Sequence, residues 1–404
     1  MEYDLESNRK IAQSIATSPW NGRHWIIFFT VSVSFLMWGV TLSIAPLITT
    51  WYFVPAFAYY PIIGAAPAGL LTGNIVMGII SDRTGRRRSY LITLFLTVAG
   101  LAGIGFTYNY VALIAFVFIA EFGLGGDETV SLSLMSEYFP SRYRGTAIVE
   151  SSNMANIGIT LMAGIFLLLS SSIFVQKIAL VCIAMIGGTI SLFARHRIKE
   201  SILWENRKNI YPAQFHFRGA MKFIALSLMG IAIIVGFAFS DLVLGPFHFP
   251  EYTDLIIFFS VLAESITGVL GGFIIGRSGR KIISMIGFSG LLGSWIVLLL
   301  FFNDVISNLY LLLTMLAISS VFGEIAWASR ELLEPENFTS RYRGRGVGSV
   351  RLTGYTLYIA FIFILASASI DLYAWFILIV YVAGFAGGML YLLYGLETKD
   401  SYVI

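Results

Sequence analysis

The chain has 404 residues, of which 57% are hydrophobic and only 12% are charged, with a formal net charge of +3. Soluble domains average about 25% charged residues, so this composition argues against a water-soluble enzyme and indicates a polytopic membrane protein. No basic stripe supports nucleic-acid binding, and a single cysteine, Cys182, excludes an intramolecular disulfide or a cysteine metal cluster.

Twelve apolar stretches are each long enough to cross a membrane, which takes roughly 20 residues. The predicted spans lie at 24–48, 56–80, 89–108, 110–136, 145–169, 172–194, 220–244, 254–276, 281–302, 306–331, 347–369 and 372–395. Residues 1–23 are polar and charged, and no cleavable signal peptide is expected there. The predicted domains are an N-terminal segment (1–23), a six-helix bundle (24–194), a polar linker (195–219), a second six-helix bundle (220–395) and a tail (396–404).

Basic residues concentrate in alternate loops. The loops after spans 2, 4, 8 and 10 are rich in Lys and Arg, as is the linker, whereas the opposite loops hold little more than Lys177. Because positively charged loops stay on the cytoplasmic side, both termini and the linker are predicted to be cytoplasmic. The expected location is the plasma membrane.

Two motifs occur once in each half of the chain. Residues 78–88, G-I-I-S-D-R-T-G-R-R-R, are echoed at 272–281, and residues 141–145, S-R-Y-R-G, recur unchanged at 340–344. The two offsets are nearly equal, so the halves are parallel repeats. Transporters with repeated halves place their substrate between the repeats, near mid-membrane.

Residues 78–88 resemble the loop signature of the major facilitator superfamily, G-x-x-x-D-R-x-G-R-R-R. The twelve predicted spans and the six-plus-six division agree with that resemblance. It implies an all-α membrane fold of two six-helix bundles that rock around a central cavity, most often as a monomer. The implied activity is transport of a small-molecule substrate by alternating access.

The repeated loops also carry paired charges. We interpret them as a latch that closes the cytoplasmic face, weaker in the second half because Gly276 stands where Asp82 would be. Plain positive-inside topology, with no gating role, is the alternative interpretation. The gate candidates are Asp82, Arg83, Arg86, Glu137 and Arg144 in the first half. In the second half they are Arg280, Glu336 and Arg343, grouped with one another.

Span 4 looks like that of the phosphate–proton symporters and their sugar- and organic-ion-carrying relatives, where the acid after Gly-Gly, here Asp127, lies on the cavity wall. Glu264 in span 8 and the surroundings of Asp241 in span 7 resemble organic-ion transporters. The chain departs from phosphate symporters in having no acid in span 1 and the neutral Tyr355 where a base is usual in span 11. Phosphate is therefore disfavoured, and only Arg351, with Arg330, is placed to meet an anion.

Acids outnumber bases at membrane depth, which favours proton coupling and a neutral or cationic substrate. Asp127 and Glu264 are the first candidates to carry the proton. For each polar residue the alternative is structural: an ion pair, a solvated end or a hydrogen bond between helices. The full set of candidates for proton coupling or the substrate cavity is Asp127, Glu264, Asp241, Glu121, Glu128, Glu324, Arg351, Tyr355, Asn153 and Asn156.

The leading hypothesis is a proton-coupled symporter of a small polar metabolite or organic ion, of the sugar, organic-acid or organic-cation class. A proton-antiport exporter of hydrophobic cations is the second hypothesis, and a non-transporting membrane sensor a distant third. Neither an enzyme nor a cofactor or metal site is expected, because all four histidines fall in loops or near predicted membrane ends. The expected partners are the substrate, protons and the lipid bilayer.

Overall fold

The computed structural model describes residues 2–196, 200, 205, 217–339, 342–365 and 367–399. Most of the predicted linker, the last five residues and the start of the second S-R-Y-R-G motif lie outside the described residues. Within the described ranges every regular element is a helix, and twelve helices are long and apolar enough to cross a membrane. The twelve predicted spans are confirmed, with ends that differ from the prediction by at most five residues.

The twelve spans are labelled α1 to α12 in chain order, after a separate N-terminal helix, Glu2–Thr17. The first bundle contains α1 Gly22–Leu47, α2 Tyr59–Thr84, α3 Arg86–Phe106, α4 Tyr110–Tyr138, α5 Ser141–Leu168 and α6 Ile173–His196. The second contains α7 Gly219–Leu242, α8 Thr253–Arg277, α9 Arg280–Leu300, α10 Leu309–Glu336, α11 Arg343–Leu365 and α12 Ile370–Tyr394.

Polar residues set where several helices begin and turn. The side chain of Asn109 accepts hydrogen bonds from the first N–H groups of α4, and Asn308 does the same for α10. Between α2 and α3, Gly85 has a φ of 106°, a left-handed conformation that glycine adopts without strain. Two π-helical turns, Ala232–Gly236 and Ala238–Leu242, widen the last part of α7.

Small residues let helices approach closely inside each bundle. A methyl group added to Gly39 of α1 would lie 1.8 Å from the carbonyl oxygen of Ala155 on α5. Such contacts hold membrane helices together, because lipid gives no hydrophobic driving force between them. The outer surface carries exposed apolar side chains, among them Phe95, Leu270 and Ile379, as a lipid-facing surface requires.

The two bundles meet along two pairs of helices. A methyl group on Gly78 of α2 would lie 3.0 Å from the carbonyl oxygen of Gly344 on α11. The equivalent pair joins Gly145 of α5 to Gly276 of α8, where the added methyl would lie 2.1 Å from the carbonyl oxygen. Both contacts lie near the side of the molecule that carries the loops after α2, α4, α8 and α10, which we call the charged face.

On the charged face, each bundle has a carboxylate, located after its last helix, that caps the N-terminus of another helix. Glu200, after α6, accepts from the backbone N–H of Arg86 at 2.9 Å, and Glu397, after α12, accepts from that of Arg280 at 2.9 Å. Both acids therefore satisfy the N-terminus of a helix in their own bundle. Burial raises the pKa of Glu397, but hydrogen bonds from backbone N–H groups outweigh it, so its pKa lies below the ordinary value.

Candidate functional site

A cavity at membrane depth lies inside the C-terminal bundle, and all of its lining residues belong to that bundle rather than to both halves as the sequence predicts. Its walls come from α7, α8, α9, α10 and α12. The lining residues are Ala232, Ile233, Phe237, Asp241, Glu264, Leu291, Ser319, Ser320, Gly323, Trp327 and Tyr381. Two carboxylates are therefore present in the wall, and neither lysine nor arginine is among these residues.

The two cavity acids are held differently. Asp241 accepts hydrogen bonds from Ser240 at 2.8 Å and from Ser320 at 3.3 Å. Glu264 has no ion pair or hydrogen bond with any residue the structure describes, and its neighbours in the wall include Gly323 and Leu291. A carboxyl group in this setting is free to bind a proton or to meet a ligand.

Three aromatic rings, those of Phe237, Trp327 and Tyr381, also line the cavity. Trp327 packs edge to face against Phe237 and against Trp38 of the N-terminal bundle, with ring centroids 5.8 and 5.6 Å apart. Tyr381 donates to Ser240 at 3.2 Å, beside Asp241. Ring faces next to carboxylates attract cations and accept flat apolar groups, so this wall suits a neutral or cationic solute.

A polar bridge connects the bundles beside the cavity. Asn156 of α5 donates to Glu324 of α10 at 2.6 Å. Asn153, where α5 bends, donates to the Ser265 carbonyl of α8 at 3.0 Å. The structure thus brings together Asn153, Asn156 and Glu324, and it places them between the bundles rather than in the cavity wall.

Below the cavity, on the side of the charged face, five buried charges meet between the bundles. Glu128 of α4 pairs with Arg351 of α11 and lies 3.7 Å from Arg330 of α10. Both arginines also pair with acids of α10: Arg330 with Glu331 at 2.7 Å, and Arg351 with Glu334 at 2.6 Å. These side chains are at most 1% exposed. We call this set the interbundle cluster: Glu128, Arg330, Glu331, Glu334 and Arg351.

Three more candidates lie near these sites without lining the cavity. Asp127 forms an ion pair with Arg195 at 2.6 Å inside the N-terminal bundle, and Arg195 lies over the Tyr90 ring. Glu121 packs against Gly69 of α2, and neither of its oxygens has a hydrogen-bond partner among the described residues. Tyr355 is buried one turn from Arg351 on α11.

The gate candidates form a charge latch on the charged face. Glu137 contacts Arg86 of its own bundle at 3.1 Å and Arg343 of the other at 2.6 Å. Glu336 likewise contacts Arg280 of its own bundle at 3.3 Å and Arg144 of the other at 3.0 Å. The sequence-based grouping kept Arg144 and Arg343 with their own halves, whereas each of them reaches across to the other bundle.

The latch differs between the halves at one position. Asp82 pairs with Arg86 at 2.7 Å and accepts from the backbone N–H of Arg345, near the start of α11, at 3.1 Å. At the equivalent place, a Cβ on Gly276 would lie 2.4 Å from the backbone nitrogen of Thr146. The second half therefore uses direct backbone contact where the first uses a charge. Arg83 is an exposed residue in the last turn of α2.

Sequence reasoning missed several residues of these sites, among them Arg195, Glu334 and Trp327. Arg195 was assigned to the linker, because α6 runs to His196, two residues beyond the predicted end of span 6. Glu334 lies beyond the predicted end of span 10, although its spacing of four residues from Arg330 is that of a helical ion pair. Nothing in the sequence distinguishes Trp327 from the other tryptophans. No group of three metal-binding side chains is found in the described part of the chain.

The chain resembles known proteins over most of its length. The family model described as Major Facilitator Superfamily matches residues 27–355. The putative niacin/nicotinamide transporter NiaP of Bacillus subtilis is 25% identical over 71% of this chain and 73% of its own length. The low affinity inorganic phosphate transporter 5 of Petunia hybrida is 38% identical, but over only 29% of this chain. The chain covers less than a quarter of the length of that phosphate transporter.

Solved structures share the fold at low sequence identity. A double-tryptophan mutant of XylE superposes with a TM-score of 0.76 at 15% identity, covering 94% of this chain and 97% of that one. The proton:xylose symporter XylE bound to 6-bromo-6-deoxy-D-glucose gives a TM-score of 0.74 at 16% identity, with the same coverage. These likenesses establish the two-bundle arrangement of twelve helices.

Proposed function

This chain belongs to the major facilitator superfamily, and we propose that it is a proton-coupled symporter of a small polar metabolite or organic ion. The family makes it a membrane transporter rather than an enzyme. Two observations support proton coupling. The proton:xylose symporter XylE has the same fold, and Glu264 lines the cavity without a partner among the described residues. We further propose that it works as a monomer in the plasma membrane, with the charged face and both termini in the cytoplasm.

One observation carries the choice of substrate: the cavity wall contains Asp241, Glu264 and three aromatic rings, and no basic side chain. An anion would meet two carboxylates there without a counterion. Arg330 and Arg351, the bases closest to the cavity, already pair with glutamates. We therefore infer a neutral or cationic solute that presents hydrogen-bond donors and a flat or apolar face.

The relatives support this choice unequally. Phosphate, named for the Petunia relative, is an anion and does not suit this wall. A pyridine ring such as that of niacin or nicotinamide, named for the Bacillus subtilis relative, can pack against Trp327 and Phe237. Of these two compounds, neutral nicotinamide suits the acidic wall better than the anion of niacin.

The test is solute-dependent proton movement in liposomes. Purified protein is reconstituted with a trapped pH dye, and nicotinamide, nicotinate, xylose, phosphate and choline are added in turn across an imposed proton gradient. We expect protons to enter with a neutral or cationic compound. In Glu264→Gln we expect this movement to fall at least tenfold, because the acid that meets the proton or solute is gone.

Glu251→Gln is the matched control, since Glu251 is an exposed acid just before α8 and the same charge is removed. It should transport like the unmodified protein. Protons that leave as lipophilic cations enter would instead identify the antiport exporter, which the same acidic and aromatic wall also favours. A complete absence of solute-dependent proton movement, or full activity in Glu264→Gln, would refute the proposal.

A further inference from the structure

We propose that the interbundle cluster is a proton-binding site whose proton is held while the charged face is closed and released when it opens. The proposal rests on the proposed transport function and adds a second titrating site to the cavity. It is carried by the charge balance of the cluster and by the way its members divide between the bundles.

The cluster holds one negative charge too many. Three carboxylates, those of Glu128, Glu331 and Glu334, face two guanidinium groups. No further lysine or arginine of the described ranges forms an ion pair with these acids. The Oε2 atom of Glu331 is also buried without a hydrogen-bond partner there. An uncompensated carboxylate in a dry interior is strongly unfavourable, so a proton is expected on one of the three.

The surplus belongs to the N-terminal bundle. The C-terminal bundle contributes Arg330, Arg351, Glu331 and Glu334, which balance each other. Glu128 is the single member from the N-terminal bundle, and it contacts both arginines across the interface. When the bundles part on the charged face, the C-terminal part stays neutral, whereas Glu128 separates from the arginines and meets water.

Glu128 is well placed to respond to that opening. It lies nine residues before Glu137 on α4, so at 1.5 Å per residue it is about 13 Å deeper than the latch. In the closed conformation its side chain is 1% exposed, and a proton there has no path to water. Opening of the charged face would give the carboxyl group that path, and the proton could then leave to the cytoplasm.

The cluster also touches the cavity wall. The guanidinium group of Arg330 lies 4.9 Å from the ring centroid of Trp327, and Trp327 lines the cavity. A solute that moves this ring changes the position of Arg330 and hence the balance of the cluster. The titratable groups beside the cluster include Asp127, next to Glu128 on α4 and paired with Arg195, and Tyr355 of α11. Glu324 of α10, which accepts from Asn156, interacts electrostatically with Glu331.

The test measures opening directly and needs no solute. In a Cys182→Ser background, spin labels are attached to Thr84→Cys and Arg277→Cys, exposed positions at the charged-face ends of α2 and α8. The distance between the two labels is measured by pulsed electron–electron double resonance in lipid nanodiscs over a range of pH. Because the closed state binds one more proton, the open-to-closed ratio should rise with pH, by up to about tenfold per unit across the titration.

Glu128→Gln should remove this dependence, since two acids then balance two bases without a proton. Glu334→Gln makes the same change in charge from the other bundle, so a folding failure of one variant leaves the other readable. Asp254→Asn, a partly buried acid at the opposite end of α8, should keep the dependence.

A pH-independent ratio in the unmodified protein, or an unchanged slope in both glutamine variants, would overturn the proposal. So would a ratio that follows the sodium concentration at fixed pH, because a metal cation would then balance the cluster. No solute is present, so a failed solute screen in liposomes does not affect this readout.

Discussion

Asp127 in the N-terminal bundle and Glu264 in the C-terminal bundle are equally buried, each 5% exposed. They differ in what surrounds them. Asp127 contacts Arg195 at 2.6 Å and the Thr93 hydroxyl at 3.2 Å, whereas Glu264 faces the cavity and has no partner among the described residues. Burial alone therefore does not separate these two acids, whereas the counterion of Asp127 and the contact of Glu264 with the cavity do.

The same contrast explains why the cavity lies on one side. Arg195 is held by Asp127, the Ser34 hydroxyl and the Tyr90 ring, so the N-terminal acid is part of a closed structural network. In the C-terminal bundle, Asp241 and Glu264 line the cavity without an arginine or lysine partner among the described residues.

Replacing Arg195, the counterion of Asp127, should have the largest effect on stability. Arg195→Met leaves the Asp127 carboxylate buried and unpaired, which costs about 3–5 kcal/mol, and we expect a marked fall in the apparent melting temperature in detergent. The double variant Asp127→Asn/Arg195→Met removes both charges and should recover most of that loss. Equal melting of Arg195→Met and the unmodified protein would show that the pair is not a structural one.

Removing the hydroxyl group that donates a hydrogen bond to each acid should have a smaller effect. In the N-terminal bundle it should lower stability, and in the C-terminal bundle it should change solute affinity. Thr93→Val deletes a hydrogen bond to Asp127 and should lower stability by about 1 kcal/mol without changing solute affinity. Ser320→Ala deletes the 3.3 Å bond to Asp241 and should change apparent solute affinity more than stability. The two variants are compared by thermal melting and by uptake, and a reversed pattern would contradict the division of roles.

At the charged face the two bundles are alike, because each has a carboxylate that accepts hydrogen bonds at a helix N-terminus. Removing one of these carboxylates should have the smallest effect on stability. Glu397→Gln weakens the contact with the α9 N-terminus by roughly 0.3–1 kcal/mol. Because the pKa of Glu397 is below its ordinary value, its stabilisation is present at neutral pH and is lost as pH falls through that lowered pKa. Melting temperatures of the variant and the unmodified protein should therefore converge in acid, and a gap that persists would argue against an ionised cap.

Much of the fold could be predicted, because lipid imposes a simple rule on the sequence. Helices that cross a membrane must be apolar for about 20 residues, so hydropathy alone located all twelve. The repeated charged loops then indicated two related halves. Errors were confined to helix ends, where polar residues continue the helix beyond the apolar stretch, as at Arg195 and Glu334.

The site was predictable in part. Glu264 and Asp241 could be selected because acids in apolar helices require a reason. Which acids were already paired could not be known, since the partners of Asp127 and Glu128 come from helices far away in sequence. Arg195, the partner of Asp127, also lay in a misjudged helix end, and so did Glu334, which pairs with the two arginines that Glu128 contacts. Pairing across helices depends on rotation and depth, which a single sequence does not fix.

The arrangement of the charge latch has a consequence for ionic strength. Each central carboxylate retains the arginine of its own bundle when the bundles part, Glu137 with Arg86 and Glu336 with Arg280. Parting breaks the contacts of these carboxylates with Arg343 and Arg144, as well as the contact of Asp82 with Arg345, and water and dissolved ions then screen the separated charges over about 8–10 Å. The latch can therefore open without protonation, and a solution of high ionic strength at the charged face holds it less firmly than a dilute one.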